Sequence, residues 1–221
     1  MTAPQPLQPF PHKSLAELLD GPTEIDWLVT NIIPPGTTGL LAGDSGIGKS
    51  WLVEDLALAI ATGAPWLEVF PVRQGSVLLV DAENAELLLR VRTKMLLSGR
   101  GGSAEAIPLH VIMDEKIDFS PEHGQDRVPH ASTSVERLRL TISELKPALV
   151  ICDSLTRFHT AKEIDANEMA AVFANVGALV RETGTCILFT HHIRKAGVFV
   201  KRKGNHLTVE KGTTLAKLPA L

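Results

Sequence analysis

Eight residues, Gly43-Asp44-Ser45-Gly46-Ile47-Gly48-Lys49-Ser50, fit the pattern G-x-x-x-x-G-K-[ST]; they join an apolar run ending Gly39-Leu40-Leu41-Ala42 to a helical pattern starting at Trp51. Four fixed positions can arise by chance, but a match set between a strand and a helix N-terminus has the context of a phosphate-binding loop. Gly43, Gly46 and Gly48 permit backbone dihedrals that a Cβ would forbid, so successive N–H groups can turn inward around an anion. The unpaired N–H groups and positive dipole end of the next helix favour a phosphate at the same spot. Lys49 adds a point charge for the outer phosphates, and Ser50 offers a hydroxyl to Mg²⁺. The nucleotide-holding stretch thus comprises Gly43, Asp44, Ser45, Gly46, Ile47, Gly48, Lys49 and Ser50, and closes at Trp51, which reads as a packing residue rather than a base stack.

Around this loop, strand and helix patterns alternate. Strands are expected at 38–42, 76–81, 109–113, 148–153 and 185–190, and helices at 50–62, 84–97, 134–145 and 166–182. Such alternation specifies parallel β with crossover helices. Val77-Leu78-Leu79-Val80 and Leu149-Val150-Ile151-Cys152 are apolar on both faces, as a sheet covered on both sides requires. The expected fold is a three-layer α/β P-loop domain with a mainly parallel central sheet and helices on both faces. Thr133 with Glu136 forms a T-x-x-E capping box, and Asp165 with Glu168 a D-x-x-E version. Met169, Val172, Phe173, Val176, Leu179 and Val180 recur at helical spacing as a core stripe. Residues 1–13 form a mobile Pro-rich lead, a short amphipathic stretch follows from Ser14 to Leu19, and the core begins after Pro34-Pro35-Gly36. Residues 114–132 read as a long solvated loop, and Arg90, Arg92 and Arg100 fall on the solvent face of their helix.

A chain of 221 residues suits one α/β domain. It divides into a lead at 1–22, a P-loop core at 23–196 and a short basic tail at 197–221. With 44% hydrophobic and 21% charged residues, the composition is that of a globular protein. A net charge of −3 excludes bulk attraction to nucleic acid or membrane, so any DNA contact must come from a local patch. No secretory signal or membrane span is evident, and Cys152 and Cys186 lie inside apolar strand patterns, so free thiols and a cytoplasmic location are expected. The eight histidines show no spacing typical of zinc.

Acidic residues at the C-terminal ends of parallel strands face the crevice where ligands bind. Asp153 follows four apolar residues, the form of a Walker B acid that holds Mg²⁺ beside Ser50. Glu83 lies two residues past the strand ending at Asp81 and is placed to orient an attacking water; Asp81 can fix the strand end by hydrogen bonding. The polar tip Thr190-His191-His192 follows the last strong strand, within reach of a terminal phosphate.

This combination resembles the RecA-like ATPases, most closely the AAA-type branch that includes plasmid RepA replicative helicases. The blocks that carry the resemblance are the P-loop, Ile25-Asp26-Trp27-Leu28-Val29 before it, Leu58-Ala59-Ile60-Ala61-Thr62-Gly63 after it, Val80-Asp81-Ala82-Glu83, Cys152-Asp153-Ser154-Leu155, and His191-His192-Ile193-Arg194-Lys195. The resemblance implies ATP and Mg²⁺ at Lys49, Ser50 and Asp153, a catalytic role for Glu83, and His192 as the sensor linking the terminal phosphate to a nucleic-acid loop. It further implies a homo-oligomer, commonly a hexameric ring, with a neighbour's basic finger at the nucleotide and central loops on single-stranded DNA. Arg194, Lys195, Lys201, Arg202 and Lys203 cluster around Val198-Phe199-Val200, and basic residues with an aromatic among them can track phosphates and stack a base.

After Lys195 the sequence departs from the family. Gly197–Asn205 leads straight into His206–Gly212, as though an intervening piece carrying the finger were missing. Arg194, Lys195 and Arg202 are the substitute candidates, and a finger is worth about 10³–10⁵ in rate. Two readings stand beside a DNA-coupled ATPase: a non-catalytic ATP-dependent switch or assembly factor, and a small-molecule P-loop kinase with the three arginines as a lid.

Overall fold

A computed structural model of the chain describes residues 9–100, 104–123, 129–130, 132–163, 165–193, 197–203 and 206–212. In chain order the elements are α1 (Leu15–Leu19), β1 (Thr38–Gly43), α2 (Lys49–Thr62), β2 (Val77–Asp81), α3 (Glu86–Arg100), β3 (Leu109–Met113), β4 (Glu122–His123) and β5 (Pro129–His130), followed by α4 (Thr133–Leu145), β6 (Leu149–Asp153), α5 (Ala166–Thr183), β7 (Cys186–His192), β8 (Gly197–Lys203) and β9 (His206–Gly212). Five strands form one sheet in the order β1-β7-β6-β2-β3, and every neighbouring pair is parallel. β4–β5 and β8–β9 are separate two-stranded antiparallel ladders. Residues 197–203 and 206–212 are both extended and pair with each other, Gly197 with Gly212 and Lys203 with His206.

Side chains of successive strand residues point to opposite faces, and the two faces carry distinct cores. Leu78, Val80, Val150, Cys152, Ile187 and Phe189 pack against Val135, Leu138 and Ile142 of α4 and Val172, Val176, Leu179 and Val180 of α5. Val77, Leu79, Leu149 and Ile151 pack on the other face against Val53, Leu56, Ala57 and Ile60 of α2 and Leu89 of α3. The three-layer α/β architecture is therefore as the alternation implied. Of the α5 stripe, Val172, Val176, Leu179 and Val180 are buried, whereas Met169 is partly buried and Phe173 is exposed.

Several expectations need correction. The core starts earlier than Pro34, because Leu28 and Val29 are fully buried in the α2-side cluster. Residues 114–132 are not a solvated loop throughout. Ile117 and Phe119 are buried, the Phe119 N–H donates to the Phe158 carbonyl at 2.8 Å, and its ring meets those of Phe158 and Phe189. Three rings sharing one contact outweigh the polar residues around them. The cap of α4 is Ser132, one residue before Thr133: its Oγ accepts from Val135 N and donates to the Asp118 carbonyl, so the cap also ties down the segment before it. Asp165 caps α5 as expected, accepting from Asn167 N and Glu168 N, while the Glu168 carboxylate accepts from Lys162 N instead of closing the box. The Ser14–Leu19 stretch is a capped helical turn with Ser14 and Glu17 bonded reciprocally, and none of its residues is buried.

Candidate functional site

The strand order places the phosphate loop, His192, Asp153 and Glu83 at one end of the sheet. β7 lies between β1 and β6, so Gly43 pairs with His192 in register and Cys152 with Phe189; on the other side of β6, Asp153 pairs with Asp81. The phosphate loop, His192, Asp153 and the turn carrying Glu83 thus occupy successive strand tips, the place where open parallel sheets hold ligands.

Within the loop, Gly46 and Gly48 have φ of 79° and 95°, values that L side chains rarely adopt, and a Cβ at either would meet nothing within 4 Å. The space they face is open. The Leu52 N–H donates to the Gly48 carbonyl, the first backbone bond of α2, so the N–H groups of Gly48, Lys49, Ser50 and Trp51 are the ones the helix leaves without an intrahelical partner. Four such donors beside an open space at the head of a 14-residue helix fit a polyphosphate. The Lys49 ammonium, nine-tenths buried, is folded back on the loop, at 2.9 Å from the Gly43 carbonyl and 2.8 Å from that of Asp44. Trp51 does not pack into the core. It is 39% exposed and, with Leu41, Ile47, Leu52, Leu67 and Leu96, lines a cleft of about 410 Å³ beside Lys49.

His192 connects the loop to the candidate base. Its Nδ1 is 3.1 Å from Lys49 Nζ and its Nε2 is 3.3 Å from Glu83 Oε1. Lys49, His192 and Glu83 therefore form one run of contacts across three elements. Asp81 accounts for where Glu83 stands: its Oδ1 accepts from the N–H groups of Glu83 and Asn84 at 3.0 and 2.9 Å, an Asx-type turn that stops the strand. Asp153 is buried and accepts a hydrogen bond from Thr190 Oγ1, leaving its other oxygen without a partner among the described residues. A hydroxyl at Ser50 and one unengaged carboxylate oxygen suit Mg²⁺, which binds through few protein ligands and completes its shell with water and phosphate.

Cys152 and Cys186 are free and buried, and burial together with the Asp153 charge pushes the Cys152 thiol far up, so it is inert.

Glu54 went unnoticed in the sequence, and Thr190, read there only as part of the polar tip near a terminal phosphate, bonds Asp153. Arg92 was expected in solvent and is instead 5% exposed, with Nη2 at 2.5 Å from Glu54 Oε1 and 3.8 Å from Asp81 Oδ2. Arg100 is also largely buried, paired with Asp55, and only Arg90 lies on the surface. The signal for Arg92 was Leu89 three residues earlier, on the one buried stripe of α3; the signal for Glu54 was an acidic pair, Glu54-Asp55, inside an otherwise apolar helix. Burial raises the Glu54 carboxyl to about 7, even with Arg92 pulling it down. Of the basic cluster, Arg194 and Lys195 lie outside the described residues, as do the side chains of Lys201, Arg202 and Lys203.

Residues 3–198 match the model of a family described as an AAA domain. The chain is also similar to the DNA repair protein RadA of Brucella abortus (strain 2308), at 26% identity over 189 residues that cover 81% of this chain and 33% of that protein. It therefore spans about a third of the length of that curated relative. Among the described residues no helix is long and apolar enough to cross a membrane.

Proposed function

Because this chain belongs to the AAA domain family and is a P-loop ATPase of RecA-like fold, we propose that it binds and hydrolyses ATP with Mg²⁺ and couples the cycle to binding of, or movement on, single-stranded DNA, as a relative of the plasmid RepA-like replicative helicases. The observation that carries this reading is the run of contacts from Lys49 Nζ through the His192 imidazole to Glu83 Oε1, at 3.1 and 3.3 Å. It joins the ammonium that would hold phosphate to the carboxylate that would handle water.

In this reading the N–H groups at the head of α2, residues 48–51, and the Lys49 ammonium hold the phosphates, and Ser50 and Asp153 hold the metal. Mg²⁺ held by Ser50 and Asp153 would supply positive charge against the charge that develops on the phosphates. Glu83 accepts a hydrogen bond from the attacking water and orients it. His192 touches both Lys49 and Glu83, so a change at the phosphate end reaches strand β7 and the segment beyond it. That segment leads into Arg194 and Lys195, which with Lys201, Arg202 and Lys203 are the proposed DNA contacts. The similarity to RadA, a DNA repair protein, supports a nucleic-acid partner. Residues 23–196 serve as the ATPase core of a cytoplasmic homo-oligomer, a hexameric ring in this reading, with 1–22 as a lead and 197–221 as a basic tail.

Phosphate release measured with and without single-stranded DNA, alongside the mass in solution with ATP, tests the proposal. Stimulation by DNA in an assembled species is expected. Tight ATP binding with turnover at background would replace it with the switch reading, and transfer of phosphate to a metabolite with the kinase reading.

A further inference from the structure

Beneath the tip of β2 lies a buried cation with no part in holding phosphate. Arg92 of α3 is 6% exposed in its side chain, Glu54 of α2 is 4% and Asp81 of β2 is 2%. Arg92 Nη2 meets Glu54 Oε1 at 2.5 Å, and Arg92 Nη1 donates to Asn84 Oδ1 at 3.3 Å. Asn84 Nδ2 in turn donates to both oxygens of Asp81, at 3.1 and 3.0 Å, and Asp81 Oδ1 accepts from Glu83 N. One guanidinium thus reaches the turn that carries Glu83 and, on its other side, a residue of the phosphate-loop helix.

The placement of Glu54 is specific. It lies four residues after Ser50, one helical turn along the same face of α2. The fork that clasps it is tied to the start of the Glu83 turn, so α2 and that turn are fixed relative to each other through side chains alone. Stability does not account for the arrangement. One cation faces two carboxylates, Glu54 Oε2 and the Arg92 Nε and Nη2 atoms make no hydrogen bond beyond the ion-pair contact, and apolar residues of the same volume would fill this space without the cost of burying charge. Burial also holds the Glu54 carboxyl up at about 7, a sign that the network is held against its electrostatic preference.

We infer that Arg92, braced by Glu54, is a positioning residue that sets the Glu83 turn against the phosphate-holding helix. The inference rests on the reading of Glu83 as the residue that orients water. Its structural half, that Arg92 holds Glu83 beside His192, does not depend on turnover.

The test uses the full chain, the double variant Glu54→Leu/Arg92→Met and the single variant Arg92→Lys. The double variant removes both charges at similar volume, an exchange that is often neutral or stabilising in buried pairs. Arg92→Lys keeps a cation for Glu54 but lacks the planar fork needed to reach Asn84 as well. The readouts are the His192 imidazole resonance, assigned among the eight histidines by its loss in His192→Gln, and the split of ATP turnover into KM and kcat. Both variants are expected to move the His192 resonance in the direction that Glu83→Gln moves it, with KM unchanged and kcat lowered about 10- to 100-fold. In a Glu83→Gln background the same changes should lower kcat no further. If either variant folds and leaves His192 at its parental position, the positioning role is overturned, whatever the turnover. If the parental chain hydrolyses no ATP while His192 moves as expected, the ATPase reading fails and the structural link stands.

Discussion

His192 Nε2 lies 3.3 Å from Glu83 Oε1 although 109 positions separate the two residues in the chain. The contact exists because β7 and β2 both flank β6, which brings their tips to either side of Asp153. Neither residue is deeply buried, so the pair stays within reach of solvent and of a ligand. Replacing Glu83 by Gln keeps the shape and removes the charge. Phosphate release should fall by about 10²- to 10⁴-fold, while ATP affinity, held by the loop and Lys49, is unchanged in a fluorescent-nucleotide titration.

Thr190 is fully buried and donates its hydroxyl to Asp153. Thr190→Val conserves volume but leaves a buried carboxylate without its donor, which costs about 1.5–3 kcal/mol for a hydrogen bond to a charged group. A urea melt should show the loss, and an unchanged midpoint would mean that Asp153 draws its support from elsewhere.

Glu54 makes stability depend on pH with a defined sign. Its carboxyl ionises near 4.5 when unfolded and near 7 when folded, so between those values the native state binds more protons. This contribution is complete below pH 4.5 and is lost as pH rises through about 7. Glu54→Gln removes the titration, and its urea midpoints from pH 5 to 8 should fall less steeply than those of the parental chain. Parallel slopes would contradict the assignment.

Ser132 rather than Thr133 begins α4, and its hydroxyl serves both Val135 N and the Asp118 carbonyl. Ser132→Ala should therefore cost about 1–2 kcal/mol. Thr133→Ala should stay within about 0.5 kcal/mol, as expected away from such features. The reverse order in a thermal melt would restore the capping box that the sequence suggested.

The sheet and the strand-tip positions of the candidate residues were legible because their signals are local. Runs such as Val77–Val80 and Leu149–Cys152 demand burial on both faces, and the glycines of 43–48 demand a turn around an anion. Asp153, Glu83 and His192 were legible through their distance from strand ends. Arg92 was not, because a charged residue on a helix is expected in solvent unless its partners are known. Those partners, Glu54 and Asp81, come from two other elements and meet it only once the chain is folded. Phe119 was missed for the same reason: its burial depends on Phe158 and Phe189, while its own neighbours in sequence are polar.

The Lys49 ammonium already satisfies itself on the carbonyls of Gly43 and Asp44 and on His192. An arriving nucleotide therefore enters an occupied clasp and must trade old bonds for new ones. Calorimetry on such a loop would register a smaller heat than the tally of phosphate contacts suggests, and the carbonyls set free would have to find water.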